Sequence, residues 1–371
     1  MREDNELLTR TGPGTPCGRD DAPLSATGRE ESMPRVNRYF CRRQYLTKRR
    51  TMVLLLGFLV FFALSGRSAF PQQESIRIGY SSPSFGGLAM FVAQQKGIFK
   101  KYSLNVEFVR TATAVGTLAL VNRELDYLNG VAQAVSAAMR GLPVRLVLVI
   151  TDKPQYLIIS KPEYRSLNNL KGKTIGTSNY GSTSHLLLQT ILQRHGMVPG
   201  KDVYVLPVGL GGQAQLAAIQ AGKTEAGVST PPTDIEGKKL GYNVILRMSD
   251  VLSVPVDGLG ITLDKLRRQP DQVKKVIMSV IEGARFIKDN REESVGLLAG
   301  KWLQTSQDNA RHVYGYGIDW ISKSWGLDPA PIDAAISLEK DRSQEKRPVA
   351  VSEVSNMTLA QEALKLLDHG K

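Results

Sequence analysis

Cysteine is scarce in this sequence: the 371 residues include only Cys17 and Cys41. Both precede the only long apolar run, at residues 52–64. A disulfide framework and a cysteine-based structural zinc site are therefore excluded from the chain that follows. Histidine is also rare, and its four positions give no metal-ligand spacing: His185, His195, His312 and His369. We expect neither a metal nor a cofactor.

The common catalytic motifs are missing as well. The chain contains no G-x-S-x-G elbow, no Walker A loop, no H-E-x-x-H and no G-x-G-x-x-G. These patterns mark many hydrolases, nucleotide-binding proteins and metalloproteases. Acidic pairs such as Glu292-Glu293 fall on the solvated faces of predicted helices. We expect no catalytic residue and no enzymatic activity.

The first 69 residues indicate export. Residues 52–64 form an apolar run of thirteen, which is shorter than the roughly 20 needed to span a bilayer and typical of a signal-peptide core. Residues 33–50 carry seven basic side chains and no acidic one, whereas residues 1–32 carry four basic and seven acidic ones. We expect translation to begin at Met33, with a genuine acidic leader as the alternative.

The export route and the fate of the apolar run stay open. Arg42-Arg43 resembles a twin-arginine signal, and the small residues after the run offer cleavage sites for a signal peptidase. An uncleaved N-terminal anchor is the alternative. The remaining chain has 36 basic and 28 acidic residues, a net charge of +8. This balance attracts anionic solutes or membrane surfaces, but the scattered cations do not indicate nucleic acid binding.

Beyond residue 73, short β-branched runs alternate with helical patterns, which predicts an α/β fold with mixed, mostly parallel sheets. Two halves resemble each other at an offset of 97 to 99 residues: 76–79 matches 173–176, and 120–126 matches 219–225. Chance likeness between α/β units is the competing explanation. We predict two lobes, lobe 1 at residues 74–160 and 258–371 and lobe 2 at residues 161–257. The extended segments 156–160 and 258–263 would cross between them as a two-strand hinge.

Candidate ligand-binding residues lie where strands end and helices begin. In open α/β sheets, solutes bind outside the carboxyl ends of the strands, near helix N-termini that favour anions. The sharpest candidate is the loop before a predicted helix at residues 177–184, although plain capping by Ser182 or Thr183 is an equally good explanation. Asp257, on the second crossing, is either a cation ligand or a turn residue. The predicted ligand-binding residues are Ser81, Ser82, Thr113, Asn129, Gly130, Asn179, Tyr180, Gly181, Ser182, Thr183, Thr230 and Asp257.

Aromatic residues near these loops are candidate walls for an organic solute, or ordinary packing residues: Tyr80, Phe85, Tyr156 and Tyr180. No arginine or lysine is assigned to the cleft.

The mature chain resembles bacterial solute-binding proteins of the nitrate/sulfonate/taurine type, also called the thiamine-pyrimidine-precursor-like group. The resemblance rests on the sequence at residues 76–80, 91–99, 104–107, 167–173 and 229–232. It implies a two-lobed periplasmic-binding-protein fold of type II that closes on a small solute. It also implies delivery to an ABC permease and ATPase complex in the inner membrane, by a periplasmic or extracytoplasmic monomer.

Two other functions stay open. One is a membrane-tethered sensory or partner-docking module, and the other is an enzyme derived from the same scaffold. The pyrimidine-precursor synthases that share the fold carry a cysteine-rich motif, which the mature chain lacks. The preferred expectation is an exported receptor for a small, anionic organic solute such as a sulfonate, a carboxylate or a pyrimidine-like compound.

Overall fold

The computed structural model describes residues 73–369, without the side chains of residues 113 and 114. The expected leader and signal peptide at residues 1–69 lie outside this range, so their processing stays a prediction. Within the described range, none of the helices combines the length and the apolar character needed to cross a membrane.

Ten strands form two five-stranded sheets. They are β1 (Glu74–Tyr80), β2 (Leu104–Arg110), β3 (Tyr127–Asn129), β4 (Val144–Val149), β5 (Leu157–Ser160), β6 (Thr174–Thr177), β7 (Tyr204–Pro207), β8 (Ala226–Ser229), β9 (Asn243–Arg247) and β10 (Gly258–Thr262). The first sheet has the order β2-β1-β3-β10-β4, and the second has the order β7-β6-β8-β5-β9. In both sheets the first three strands are parallel and the fourth is antiparallel to its neighbours. We call the first sheet with its helices lobe 1 and the second lobe 2.

Helices cover both faces of the sheets. They are α1 (Leu88–Gln95), α2 (Ile98–Lys101), α3 (Thr113–Val121), α4 (Val131–Met139), α5 (Thr183–Arg194), α6 (Gly212–Gln220), α7 (Thr233–Lys239), α8 (Leu263–Arg268), α9 (Pro270–Asp289), α10 (Arg291–Leu297), α11 (Gln307–Gly317), α12 (Ala330–Ser343), α13 (Val351–Val354) and α14 (Thr358–His369). A π-helical turn, Leu298–Trp302, follows α10. The apolar spacing of the sequence predicts a helix at residues 270–289, which is α9, and one at residues 292–303, which the structure divides into α10 and the π-helical turn.

The two lobes repeat one hydrogen bond. The Asp126 carboxylate, just before β3, accepts from the Arg77 amide of β1 at 2.8 Å, and the Glu225 carboxylate, just before β8, accepts from the Thr174 amide of β6 at 3.0 Å. Each carboxylate also pairs with a lysine that follows the antiparallel strand: Lys265 at 2.8 Å and Lys161 at 3.8 Å. The internal resemblance in the sequence, which ends at these two acids, therefore has a structural counterpart.

The crossings between the lobes differ in position from the expected ones. The segment 156–160 was assigned to lobe 1, but Leu157–Ser160 is β5, which pairs with β8 and β9 in the second sheet. Its side chains are all buried, so it is a core strand rather than a connection. We propose that the chain crosses at residues 150–156 and returns at residues 248–257.

Helix α9 packs closely on α1 in the core of lobe 1. Its apolar face is buried, as the 3.6-residue spacing predicts: Val273, Val276, Ile277, Val280, Ile281 and Ala284. Gly283 allows the close approach, because a Cβ there would overlap the carbonyl oxygen of Ala89 in α1. A backbone oxygen cannot rotate away, so the two helices would have to separate.

We predict that Gly283→Ala lowers the free energy of unfolding by about 1 to 3 kcal/mol, the usual cost of overpacking. The matched control is Gly296→Ala in α10, where a Cβ has no neighbour within 4 Å. That substitution should stabilise the protein by about 0.5 kcal/mol because alanine is the better helix former. Urea denaturation of both variants checks the pair, and equal effects would contradict the packing argument.

Candidate ligand-binding cleft

A cavity of about 700 Å³ opens between the two lobes. It lies at the carboxyl ends of strands from both sheets, where open α/β folds bind ligands. Lobe 1 supplies the ends of β1 and β2, one residue of α1 and the chain around the π-helical turn: Tyr80, Ser82, Pro83, Phe91, Phe108, Arg110, Lys301, Trp302, Leu303, Gln304 and Thr305. Lobe 2 supplies the starts of α6 and α7: Leu210, Gly211, Gly212, Gln213, Thr230, Pro231, Pro232, Thr233 and Glu236.

One wall of this cavity is aromatic. The Trp302 ring stacks on Tyr80 with centroids 5.4 Å apart and on Phe91 at 4.7 Å, and Phe108 meets it edge-on at 6.5 Å. The indole Nε1–H donates to the Ser84 carbonyl oxygen at 2.7 Å, so the polar atom of the buried ring is satisfied. The wall is thus a fixed apolar surface suited to the organic part of a solute.

The π-helical turn positions two lining residues. One hydrogen bond shows the wider winding of this turn. The Leu303 amide donates to the Leu298 carbonyl oxygen, five residues earlier, at 2.8 Å. Such turns are rare inside helices and occur frequently at functional sites. Here the turn ends at Lys301 and Trp302, which both line the cavity.

The cavity carries uncompensated positive charge. Arg110, the last residue of β2, donates to the Ser81 carbonyl at 3.3 Å and, across the cleft, to the Leu210 carbonyl at 3.4 Å. Lys301 Nζ donates to Gln95 Oε1 at 3.1 Å. Neither cation forms an ion pair with any described residue. The lining carboxylate Glu236 accepts from Gln213 at 2.6 Å instead.

Helix α6 opens onto the cavity without a side-chain cap. The first amides of a helix have no partner within it, and together with the helix dipole they favour an anion. Gly211 precedes the helix with a φ of +93°, which glycine adopts readily. A Cβ at Gly212 would meet the Thr233 methyl at 2.5 Å and Ser229 Oγ at 2.8 Å, so α6 approaches α7 closely only because glycine is there.

A buried carboxylate joins the two crossings beside this cleft. Asp257, on the return crossing, accepts from Asn129 Nδ2 at 3.0 Å, from Thr151 Oγ1 at 3.1 Å and from Gln155 Nε2 at 3.4 Å. Thr151 and Gln155 belong to the first crossing. Burial raises the pKa of the Asp257 carboxyl, although the three hydrogen bonds oppose the rise. We call these four residues the Asp257 cluster.

The predicted loop before α5 is occupied by local hydrogen bonds. Ser182 Oγ accepts from the His185 amide at 3.3 Å, which caps α5, and donates to the Asn179 carbonyl at 2.6 Å. Thr183 Oγ1 accepts from Gln133 Nε2 of lobe 1 at 2.8 Å. The Gly181 amide donates to His185 Nδ1 at 3.0 Å.

The structure divides the predicted binding residues into groups. Ser82 and Thr230 line the cavity, and Ser81 contacts it through Arg110. Asn129 and Asp257 belong to the Asp257 cluster, and the Gly130 amide donates to the Gly258 carbonyl at 2.9 Å. The residues before α5 and the first turn of that helix lie apart from the cavity lining: Asn179, Tyr180, Gly181, Ser182 and Thr183. Thr113 begins α3, but its side chain lies outside the described part. A ligand role for these twelve residues stays a prediction.

The sequence assigns no arginine or lysine to the cleft, but Arg110 and Lys301 line the cavity. Arg110 gave a usable signal, because it follows the alternating run within β2 just before a segment rich in threonine and alanine. Lys301 and Trp302 gave no such signal in the sequence, because their position in the cleft depends on the π-helical turn. Of the candidate walls, Tyr80 lines the cavity, Phe85 is buried, Tyr156 packs on the core of lobe 2, and Tyr180 is 60% exposed.

The fold and the cleft define the chain as a two-lobed periplasmic-binding-protein-like protein of type II. Solved structures with this fold include a protein of Bordetella bronchiseptica RB50, with a TM-score of 0.72 and 16% identity over 80% of this chain and 99% of that one. The periplasmic nitrate-binding protein NrtA of Synechocystis PCC 6803 has a TM-score of 0.65 and 17% identity, over 80% of this chain and 90% of its own. The alkanesulfonate-binding protein SsuA of Xanthomonas axonopodis pv. citri, bound to MOPS, has a TM-score of 0.64 and 18% identity, over 78% of this chain and 100% of its own.

Residues 85–294 match the model of the NMT1/THI5-like family, so the chain belongs to this family. A curated protein of Haemophilus influenzae, named for thiamine biosynthesis, is 29% identical over 167 residues, which are 43% of this chain. The match spans about half the length of that relative, 51%. The family resemblance seen in the sequence is confirmed.

We predict that Asp257→Ala lowers the free energy of unfolding by about 2 to 3 kcal/mol, because it leaves the buried donors of Asn129 and Thr151 without their charged acceptor. Asp250→Ala serves as the control, since that carboxylate is exposed and, among the described residues, accepts a hydrogen bond only from the neighbouring Ser249. Chemical denaturation of both variants measures the difference. A loss no larger than that of Asp250→Ala would contradict the role given to the cluster.

We also predict a pH effect from His185. Burial, and then the positive charge of Arg342, lowers the pKa of His185 below its ordinary value of 6.5. The unfolded chain therefore binds this proton more readily, so the free energy of unfolding should fall as the pH drops below 6.5. His185→Gln should weaken this dependence, whereas His369→Gln at the exposed end of α14 should not. Urea denaturation between pH 7.5 and pH 5 gives the comparison.

Proposed function

We propose that this protein is the solute-binding component of an ABC importer and that it captures a small anionic organic solute between its lobes. One observation carries the proposal. The cleft between the lobes combines a fixed aromatic wall, two cations without carboxylate partners among the described residues and an uncapped helix N-terminus, all at strand ends of both sheets. An apolar surface with a few convergent polar groups is what small-molecule sites present.

The charges favour an anion. Arg110 and Lys301 outnumber Glu236 in the lining, and the first amides of α6 add partial positive charge. A solute with an organic body against Trp302 and an anionic group near Arg110 would use both the aromatic wall and the positive charge of the cleft. Sulfonates and carboxylates fit this description, and so does a pyrimidine that carries an acidic group.

Contacts between the lobes support a closing mechanism. The Arg110 hydrogen bond to Leu210 bridges the cavity, and His312 of α11, in lobe 1, contacts the buried Asp234 of α7, in lobe 2, at 2.8 Å. Arg247 of β9 donates to the same carboxylate oxygen at 3.2 Å. Lobe movement about the crossings 150–156 and 248–257 would make and break these contacts. The closed protein, an exported extracytoplasmic monomer without catalytic activity, would then dock on the permease and ATPase complex in the inner membrane.

A binding screen tests the proposal. Purified protein lacking residues 1–69 is screened by thermal shift with sulfonates, carboxylates, pyrimidines and amino acids, and each hit is paired with a neutral analogue of the same body. A solute at about 100 times its Kd should stabilise the protein by roughly 2.7 kcal/mol. We predict that anionic members shift the melting temperature and that their neutral analogues do not.

The matched variant is Arg110→Gln. It removes a charge-assisted contact and should weaken the binding of the identified solute about 10-fold to 100-fold, because such bonds contribute about 1.5 to 3 kcal/mol. Arg165→Gln, in an exposed loop of lobe 2, is the control and should bind as the wild type does. Calorimetric titration measures both. Unchanged affinity in Arg110→Gln, or conversion of the solute to product, would contradict the proposed function.

A further inference from the structure

A second cavity, of about 290 Å³, lies where α4 of lobe 1 meets α5 of lobe 2. It shares no lining residue with the first cavity. Helix α3 and the end of α12 complete its walls. Its volume far exceeds the roughly 30 Å³ that one water molecule occupies in the liquid, so it has room for a larger guest.

Two guanidinium groups line this second cavity. The Arg342 side chain of α12 is 13% exposed and pairs with Glu339, and it also donates to Ser136 Oγ of α4 at 3.5 Å. Arg140, at the end of α4, forms no ion pair with any described residue. Burial and the charge of Arg140 lower the pKa of Arg342 to about 10. Of the two cations, only the partly buried Arg342 has a carboxylate partner, Glu339, and the exposed Arg140 has none among the described residues.

A buried amide also lines this cavity. Gln133 is 5% exposed and donates through Nε2 to Thr183 Oγ1 across the lobes at 2.8 Å. Its Oε1 has no partner among the described residues and lies against Gly130, where a Cβ would meet it at 2.3 Å. The amide therefore connects the two lobes in the wall of the cavity.

We propose that this second cavity binds a tetrahedral oxyanion such as inorganic phosphate or sulfate, held by Arg140 and Arg342. Guanidinium groups match the geometry of such oxyanions, and two of them suit a divalent ion. Gly181 and Leu186 of lobe 2 line the same cavity as Arg140, so the bound ion would lie where the two lobes meet. It would therefore stabilise the arrangement in which the lobes meet in this way.

The test uses the whole mature protein without solute and measures its melting temperature in phosphate, sulfate, acetate and chloride at equal ionic strength. Phosphate and sulfate should raise the melting temperature of the wild type in a saturable way, and acetate and chloride should not. Arg140→Gln should weaken phosphate binding at least 10-fold, and Arg342→Gln should do the same. If Arg342→Gln fails to fold, Arg140→Gln carries the test, because its side chain is exposed.

Two controls separate this site from the first cavity and from simple screening. Arg110→Gln and Arg165→Gln should keep the full phosphate response. Loss of the response in Arg110→Gln would place the ion in the first cavity and overturn the proposal. An equal loss in Arg165→Gln, or no specific response of the wild type, would overturn it as well. The solute need not be known, so failure here leaves the proposed function untouched.

A second readout uses His185, which lies beside this cavity. Its pKa is lowered in part by the charge of Arg342, so a bound anion should raise it. NMR titration of the ring protons, assigned with His185→Gln, should show this rise with phosphate in the wild type and not in Arg140→Gln. If the pKa of His185 does not change when phosphate is added, the proposed site is contradicted, even if the melting temperature responds.

Discussion

The connection between the lobes depends on one buried carboxylate. Asp257 receives hydrogen bonds from Thr151 and Gln155 on the outgoing crossing and from Asn129 at the end of β3. The Ile150 and Thr151 amides also donate to the backbone carbonyl oxygen of Asp257. Gly86, in the loop after β1, lies against the same carboxylate, since a Cβ there would overlap it. Both crossings and the loop that supplies Ser82 to the cleft are therefore fixed to a single side chain.

A second constraint is the repeat of the sheet. In each lobe a carboxylate before the third strand holds the first strand through its amide, with a lysine as its counter-ion. This arrangement fixes the ends of the strands opposite to the cleft. The carboxyl ends are left free for loops, and there the lobes differ: lobe 1 presents aromatic rings and cations, whereas lobe 2 presents glycine-rich helix starts. The shared frame and the unlike loops together make one asymmetric site.

Much of the fold could be predicted from local patterns. The alternation of strands with helices and the helix α9 follow from periodicity, which depends on near neighbours, and the two similar halves follow from the internal resemblance. The crossing at residues 156–160 was misplaced because a buried core strand and an extended connection look alike in sequence. Only the pairing of β5 with β8 and β9 distinguishes them.

The site was less predictable, for a physical reason. Serine at Ser182 is favoured both as a helix cap and as an anion ligand, so the residue type does not separate the two. The structure shows the capping bond. Arg110 could have been found, because a charged residue at a strand end is a local signal. Trp302 and Lys301 reach the cleft only through the return of the chain and the π-helical turn, which no pattern in the sequence revealed.

The strand order of the first sheet has a consequence for synthesis. β3 and β4 do not pair with each other, because β10 lies between them, and β10 is made more than a hundred residues after β4. Lobe 2 is one continuous stretch and can be completed while the ribosome is still translating the remainder. Until β10 arrives, β3 and β4 carry unpaired edges, the kind of surface that aggregates in folding intermediates. A nascent chain of this protein is thus most prone to aggregation while lobe 2 is complete and the sheet of lobe 1 still lacks β10.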